Sequence, residues 1–299
     1  MIINKIKKQK EKTSLLYIAL AIILALYSAL LISIFVWAIL TSFKDQWTFR
    51  DNIIGLPEKW HFENYKEMLS IFKVQYTSED DNIYYFTIEY LYMNGIIYAA
   101  GCALVSLAAQ ALIGYAIANF NYVFSKGLYA TVIATMAIPI VGSDSSMLVL
   151  LKDLNIYNTW FSMFLLKAGF LGIYTLVLAN AFKAIPKSFS EAAQIDGASN
   201  LTIMLRVIFP CVINIFGIIF LLYFIQFWND YQTPNLYLTA HPTIAYGVYF
   251  FNFQTYGKTS AVPYKLCGAM FLFVPSITVF IAFNKKIMSG NLTVGGVKE

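Results

Sequence analysis

Three cysteines, two histidines and one Gly-Lys-Thr triplet are the residues best equipped for chemistry in this chain, and their spacing assigns none of them to it. Cys102, Cys211 and Cys267 are odd in number, far apart and set in or beside apolar runs, which fits single buried thiols and neither a disulfide framework nor a metal site. His61 and His241 stand alone as ordinary loop residues without metal-ligand spacing. Gly257-Lys258-Thr259 imitates the end of a phosphate-binding loop, but the glycine required five residues earlier is Asn252. No Ser-His-Asp grouping stands out. The expectation is a chain with no catalytic residue, no metal ligand and no cofactor of its own. What remains to explain is a polar stretch, SFSEAAQIDGASNLTIMLRVIFP at 188–210, between two long apolar segments.

The elements that must carry that stretch follow from composition. Of the 299 residues, 59% are hydrophobic and only 12% charged, with a mean hydropathy of +0.63. A soluble domain carries about a quarter charged residues, so the chain is read as a multi-pass membrane protein. Barrel strands would alternate over about ten residues, whereas these runs are long enough for helices crossing roughly 30 Å of hydrocarbon. Six spans are expected, at about 15–41, 90–118, 128–151, 160–182, 206–228 and 264–283, giving an all-α membrane protein. Five lysines in the first twelve residues precede an uncharged run to Phe43, too long for a cleavable signal peptide, so 1–14 is a cytoplasmic basic segment and the first span is retained. With the amino terminus inside, twelve lysines and arginines fall on inner segments against seven outside, and six spans return the carboxyl terminus to the cytoplasm. The net charge of +5 thus reflects topology and does not call for a nucleic-acid partner.

Within the spans, Lys167 and Lys265 lie near outer ends, where each fits either a functional ionisable group or a snorkelling stem. Asn94, Tyr98, Cys102, Ser106 and Gln110 recur every fourth residue and share one helix face. That face fits a polar lining of a transport pathway. It fits equally a packing seam, with Gly95, Ala99 and Ala103 interleaved for close helix contact. The outer loop 229–263 is aromatic, with Tyr231, Tyr237, Tyr246, Tyr249, Phe250, Phe251, Phe253 and Tyr256, and suits either sugar stacking or partner docking.

The orientation puts 183–205 on the cytoplasmic face. Ser188-Phe189-Ser190-Glu191 has the form of a capping box, in which the Ser188 hydroxyl accepts from the Glu191 amide. Pro186 interrupts the preceding span, Ala192 and Ala193 extend a short helix past Phe189, and Gly197 after Asp196 suits a left-handed terminus. Ser199 offers a fresh cap for the next helix. A helix–glycine–helix hairpin on the membrane surface follows, either without a partner or with its alanines admitting one.

Glu191-Ala192-Ala193-x3-Gly197-x9-Val207-x-Phe209-Pro210 resembles the EAA loop of ATP-binding-cassette (ABC) importer permeases, with Val207 and Phe209 in place of isoleucine and leucine. MNGIIYA (93–99), LIGYAIANF (112–120), MAIPI (136–140), WNDYQTPNLYL (228–238) and the cytoplasmic tail SGNLTVGGVKE (289–299) resemble the carbohydrate-uptake branch, in particular its shorter, maltose-type permease half. The resemblance implies a type I importer permease fold in a bacterial cell membrane. It also implies that 183–205 is the coupling loop, with Ser188, Phe189, Glu191, Ala192, Ala193, Asp196 and Gly197 at the ATPase contact. The implied partners are a second homologous permease, two ATPase subunits that bind ATP and Mg, and an extracellular solute-binding lipoprotein. Alternatives are a permease for a non-sugar solute or a stand-alone secondary transporter, which would need ionisable groups deep in the membrane.

Overall fold

Apolar runs that cannot leave a backbone amide unpaired in lipid become helices, and helices dominate the computed structural model, which describes residues 2–78, 80–120, 123–138, 142–254 and 257–289. The chain divides into two units, residues 1–71 with 254–270, and residues 72–253 with 271–299.

In the first unit, the basic segment at 1–14 and the first span form one helix, α1 (Ile2–Ser42), followed by α2 (Gln46–Asp51) and α3 (Glu63–Ile71). Buried Asn64 on α3 donates to the Ser42 and Lys44 carbonyls at 3.0 and 2.9 Å, satisfying the orphan carbonyls at the end of α1. Lys44 is buried as well, and its Nζ donates to the Asn52 carbonyl at 2.6 Å. Tyr264 donates its hydroxyl to Glu67 at 3.0 Å. Gly257–Ser260 is a single 3-10 turn.

The second unit begins with an antiparallel hairpin, β1 (Lys73–Thr77) and β2 (Ile83–Thr87), paired from Lys73–Thr87 to Thr77–Ile83. Helix α4 (Ile88–Asn119) runs through the middle of this unit, followed by α5 (Val123–Ala137), α6 (Asp144–Asp153), α7 (Trp160–Lys167) and α8 (Ile173–Lys183). Each of the spans expected at 128–151 and 160–182 is therefore two helices. In the first case α5 ends at Ala137 and α6 starts at Asp144, Gly142 has φ +83°, and residues 139–141 lie outside the described set. In the second case Thr159 caps α7 by accepting from the Ser162 amide, and α8 restarts at Gly172.

The polar stretch supplies α9 (Lys187–Ile195), α10 (Asn200–Thr202), a π-helical segment Ile203–Ile208 and α11 (Phe209–Cys211). Then come α12 (Ile213–Trp228), α13 (Gln232–Tyr237) and α14 (Ile244–Gln254). The last helix, α15 (Val262–Ser289), contains Pro275. The proline has no amide for the Phe271 carbonyl four residues back, and the Tyr92 hydroxyl donates to that carbonyl at 2.6 Å instead. Among the described residues, Tyr17–Ser42, Ile88–Asn119 and Val262–Phe283 are each long and apolar enough to span a bilayer, and Asn200–Cys211 and Ile213–Trp228, bent by 79°, reach that length only together. The tail at 290–299 lies outside the described residues.

Helix α4 packs on α8 and α12. Its approach to α8 depends on Gly114: a Cβ there would sit 3.1 Å from both the Leu178 Cβ and the Ala179 amide nitrogen. Gly114→Val should overpack this contact by about 1–3 kcal/mol. The expected result is a lower thermal midpoint for the detergent-solubilised protein, and an unchanged midpoint would contradict the close approach.

Candidate functional site

Helix α9 starts two residues earlier than the capping box requires. Its N-cap is Pro186 (φ −58°, ψ 132°), and no side chain caps it. Proline's fixed φ pre-sets the turn, so Ser188 and Glu191 are both interior to the helix, where the Glu191 amide joins the regular ladder. The capping role expected of Ser188 is thus corrected. The far end matches expectation in detail: Gly197 has φ +79°, its amide donates to the Gln194 carbonyl at 3.0 Å, and the Ala198 amide reaches the Ala193 carbonyl at 2.9 Å. This bond pair is a Schellman terminus built on glycine's left-handed freedom. Ser199 then caps α10, accepting from the Thr202 amide at 3.3 Å.

No residue of α9 is buried. Phe189 is 47% exposed and Ile195 87%, so the hairpin holds large apolar side chains away from its own subunit. Glu191 is exposed and lines a concavity of about 230 Å³ with Lys187, Ser190 and Gln194 of α9, and with Tyr115, Asn119 and Phe120 at the end of α4. A side chain entering there meets α9 and α4 at once.

Pro210 cannot donate to the Arg206 carbonyl, and the ladder widens by one residue, with the Phe209 amide bonded to the Met204 carbonyl. Phe209 stacks on Phe182 of α8 (5.7 Å, 18°) and meets Phe216 of α12 (5.1 Å) and Tyr115 of α4 (6.4 Å) edge-on. Each such pair is worth about 0.5–1.5 kcal/mol beyond its buried area. The cluster ties α4, α8 and α12 to the base of the polar stretch. Phe209 and Tyr115 of this cluster lie in stretches that stood out in the sequence. That they meet Phe182 and Phe216 has no local mark, since the contacts join three separate apolar runs.

The second group of candidates lies along α4. Asn94, Tyr98, Ser106 and Gln110 are all buried. Asn94 donates to the Pro242 carbonyl at 3.1 Å, Ser106 to the Lys167 carbonyl at 2.6 Å, and Gln110 to the Tyr223 hydroxyl at 2.6 Å and the Gly169 carbonyl at 3.2 Å. Within the subunit this face packs against its neighbours, and two of its polar groups, Ser106 and Gln110, satisfy carbonyls freed where α7 breaks from α8.

Tyr98 leads to a residue that sequence reasoning passed over. Its hydroxyl donates to Asp230 Oδ2 at 2.8 Å, which also receives Lys167 Nζ at 3.0 Å and Thr233 Oγ1 at 2.6 Å. Lys167 reaches Thr233 Oγ1 at 3.0 Å and lies 5.1 Å over the Phe227 ring. It pairs inside the subunit instead of snorkelling. Burial alone would raise the Asp230 carboxyl, but Lys167, Thr233 and Tyr98 together hold it below the usual range. Its contribution to stability is therefore present above about pH 4 and lost as pH falls through the lower folded value. The available signal was an acid directly after an apolar run, level with the one lysine set two turns deep.

A family model described as the inner membrane component of binding-protein-dependent transport systems matches residues 110–288, well over half the chain and all of the polar stretch. The chain belongs to that family. This permease is 26% identical over 289 residues to the trehalose/maltose transport system permease protein MalG of Thermococcus litoralis, covering 92% of this chain and 96% of that one. It is 25% identical over 208 residues to the maltodextrin transport system permease protein MalD of Streptococcus pneumoniae (69% and 74% covered). It is also 26% identical over 214 residues to the sulfoquinovosyl glycerol transport system permease protein SmoH of Agrobacterium fabrum (69% and 72%). A chain of the crystal structure of a bacterial ABC transporter involved in import of the acidic polysaccharide alginate has the same fold, with a TM-score of 0.70 at 19% identity over 90% of this permease and 95% of that chain. The permease is thus a non-catalytic membrane component with the ABC importer permease fold, and membership of this family implies an ATPase and a binding protein as partners.

Proposed function

We propose that this permease forms one half of the transmembrane channel of an ABC importer and passes a sugar or oligosaccharide from an extracellular solute-binding lipoprotein to the cytoplasm. A second, homologous permease forms the other half, and two ATPase subunits bind ATP and Mg and do the hydrolysis. The observation that carries this reading is α9, a helix with no buried residue, held on a rigid glycine turn with Phe189, Glu191 and Ile195 outward. Apolar side chains held outward on a short helix that also has an exposed acid and close-packing alanines fit a protein partner. Glu191 would meet a basic group of the ATPase in the concavity between α9 and α4. Movement of α9 would then pass through the π-helical segment and the Phe209 cluster into α12. The saccharide assignment is supported by the names of the relatives, among them permeases for maltodextrin, for trehalose/maltose and for melibiose, raffinose and stachyose.

Reconstitution tests the reading. Proteoliposomes with the whole complex and enclosed ATP should accumulate a labelled oligosaccharide only when the binding protein is present. Vesicles with this chain alone should move none, and solute movement by the isolated chain would overturn the proposal.

A further inference from the structure

Past the end of α1 the chain turns through α2 and doubles back along the helix it has just left. The Trp37 indole N–H, on α1, donates to the Ile53 carbonyl at 2.9 Å. Ile54, 84% exposed, is thereby held beside α1, where it lines a largely apolar groove of about 510 Å³ with Ser33, Ile34, Val36, Trp37 and Leu40. Those five residues lie before the helix end at Ser42, by roughly 3–14 Å along its axis at about 1.5 Å per residue. They belong to Tyr17–Ser42, which is long and apolar enough to span a bilayer. The loop at Ile54 is therefore level with a membrane-spanning segment.

A loop at that depth must satisfy its backbone from within the chain, because hydrocarbon supplies no donor. The Asn52 carbonyl receives Lys44 Nζ at 2.6 Å, and the Ile53 carbonyl receives Trp37 and, at 3.4 Å, Lys44. The Leu56 carbonyl receives the Asn52 side-chain amide at 3.4 Å, and the Gly55 amide donates to Asn52 Oδ1 at 2.7 Å. This is the use of a buried lysine just past a span. Aromatic rings mark the next level. Phe43, the first residue after α1, meets Trp60 at 5.4 Å and Phe62 at 5.1 Å, and both partners are exposed. Aromatic side chains at the end of a span favour the boundary between headgroups and hydrocarbon.

The bonded carbonyls leave mainly C–H surface to be covered, which suits an acyl chain, whereas a protein interface would carry hydrogen bonds of its own. The charges between Lys44 and Trp60 cancel, with Lys44, Arg50 and Lys59 against Asp45, Asp51 and Glu58, so insertion here is apolar and needs no anionic lipid.

We propose that residues 53–62 form a lipid wedge in the leaflet at the carboxyl end of α1, the outer one on the orientation read from the lysines. An acyl chain occupies the groove beside Ile54, and Trp60 and Phe62 sit at the headgroup boundary. The wedge fixes the depth of α1 whatever solute the transporter carries.

The test places a nitroxide at Ile54→Cys in the assembled transporter, in nanodiscs of phosphatidylcholine, with Cys211→Ser removing the exposed native thiol. The Ile54 side chain is mostly exposed, so the substitution disturbs little of the fold. Asp51→Cys, also exposed, is the aqueous reference. Collision with molecular oxygen, which concentrates in hydrocarbon, is compared with collision with a water-soluble nickel chelate by power-saturation spectroscopy. The oxygen-to-nickel ratio should be roughly fivefold or more higher at 54 than at 51, with Phe62→Cys between them. Equal ratios at 54 and 51 would show a water-facing loop and overturn the wedge. Poor access of both reagents at 54 would show that a protein chain covers the groove, and would overturn the lipid assignment. A high ratio obtained only after phosphatidylglycerol is added would overturn apolar insertion.

Discussion

Glu191→Lys is expected to abolish uptake while the protein still inserts and folds. Glu191 is exposed, has no ion pair among the described residues, and lies inside a short helix where glutamate and lysine have nearly equal propensity, so the fold has little to lose. On the proposal that Glu191 faces a basic group of the ATPase, reversing its charge turns an attraction into a repulsion, a change of several kcal/mol. At about 1.4 kcal/mol per tenfold, a loss of about 3 kcal/mol corresponds to roughly a hundredfold weaker ATPase association. Three measurements together isolate the effect: labelled saccharide uptake, the amount of subunit in the membrane fraction, and co-purification of the ATPase. Glu191→Gln should fall between the two, since it keeps the shape and one acceptor. Full uptake and normal co-purification by Glu191→Lys would remove α9 from the coupling path.

The turn at Gly197 was legible because its requirement is local: one residue without a Cβ, followed by a hydroxyl cap at Ser199. The start of α9 misled for the same reason in reverse. Ser188 and Glu191 have the capping-box pattern, but Pro186 fixes the backbone two residues sooner, and a fixed φ outweighs a hydroxyl that can bond elsewhere. Apolar length located α1, α4 and α15, yet could not reveal that 128–151 and 160–182 are broken, since hydropathy is blind to whether a ladder continues. The hairpin β1–β2 escaped because Tyr76, Tyr84, Tyr85 and Phe86 read as loop aromatics until their register is known. Long-range polar matches were the least visible. The α4 face could be drawn from a fourfold spacing, but whether Asn94, Tyr98, Ser106 and Gln110 face water or a neighbour depends on where α7 stops. The pairing of Lys167 with Asp230 spans 63 residues, and its one mark in the sequence is an acid just past an apolar run opposite a lysine set inside another.

That pair sets the second large expectation. Lys167 and Asp230 are only 22% and 17% exposed at their side chains, and Asp230 has three further donors in Tyr98, the Thr233 hydroxyl and the Thr233 amide. Removing Lys167 leaves the buried carboxylate with neutral donors only and no counter-charge, which costs about 3 kcal/mol, the low end of the range for breaking a buried pair. Lys167→Met should therefore lower the thermal midpoint by about 10 °C in detergent. It should also reduce uptake, because the carboxylate then draws water or a counter-ion into the junction of α4, α7 and α12. Replacing both charges, as in Lys167→Met with Asp230→Leu, removes the buried charge altogether and should recover most of the stability. Uptake is the informative contrast. If the pair only stabilises, uptake returns with the thermal midpoint. If Asp230 also positions Asn229 and Tyr231 at the outer end of α12, uptake stays low in the double variant despite restored stability. A single Lys167→Met variant as stable as the parent would show that the ion pair contributes nothing to the fold, and the positioning role would fall with it.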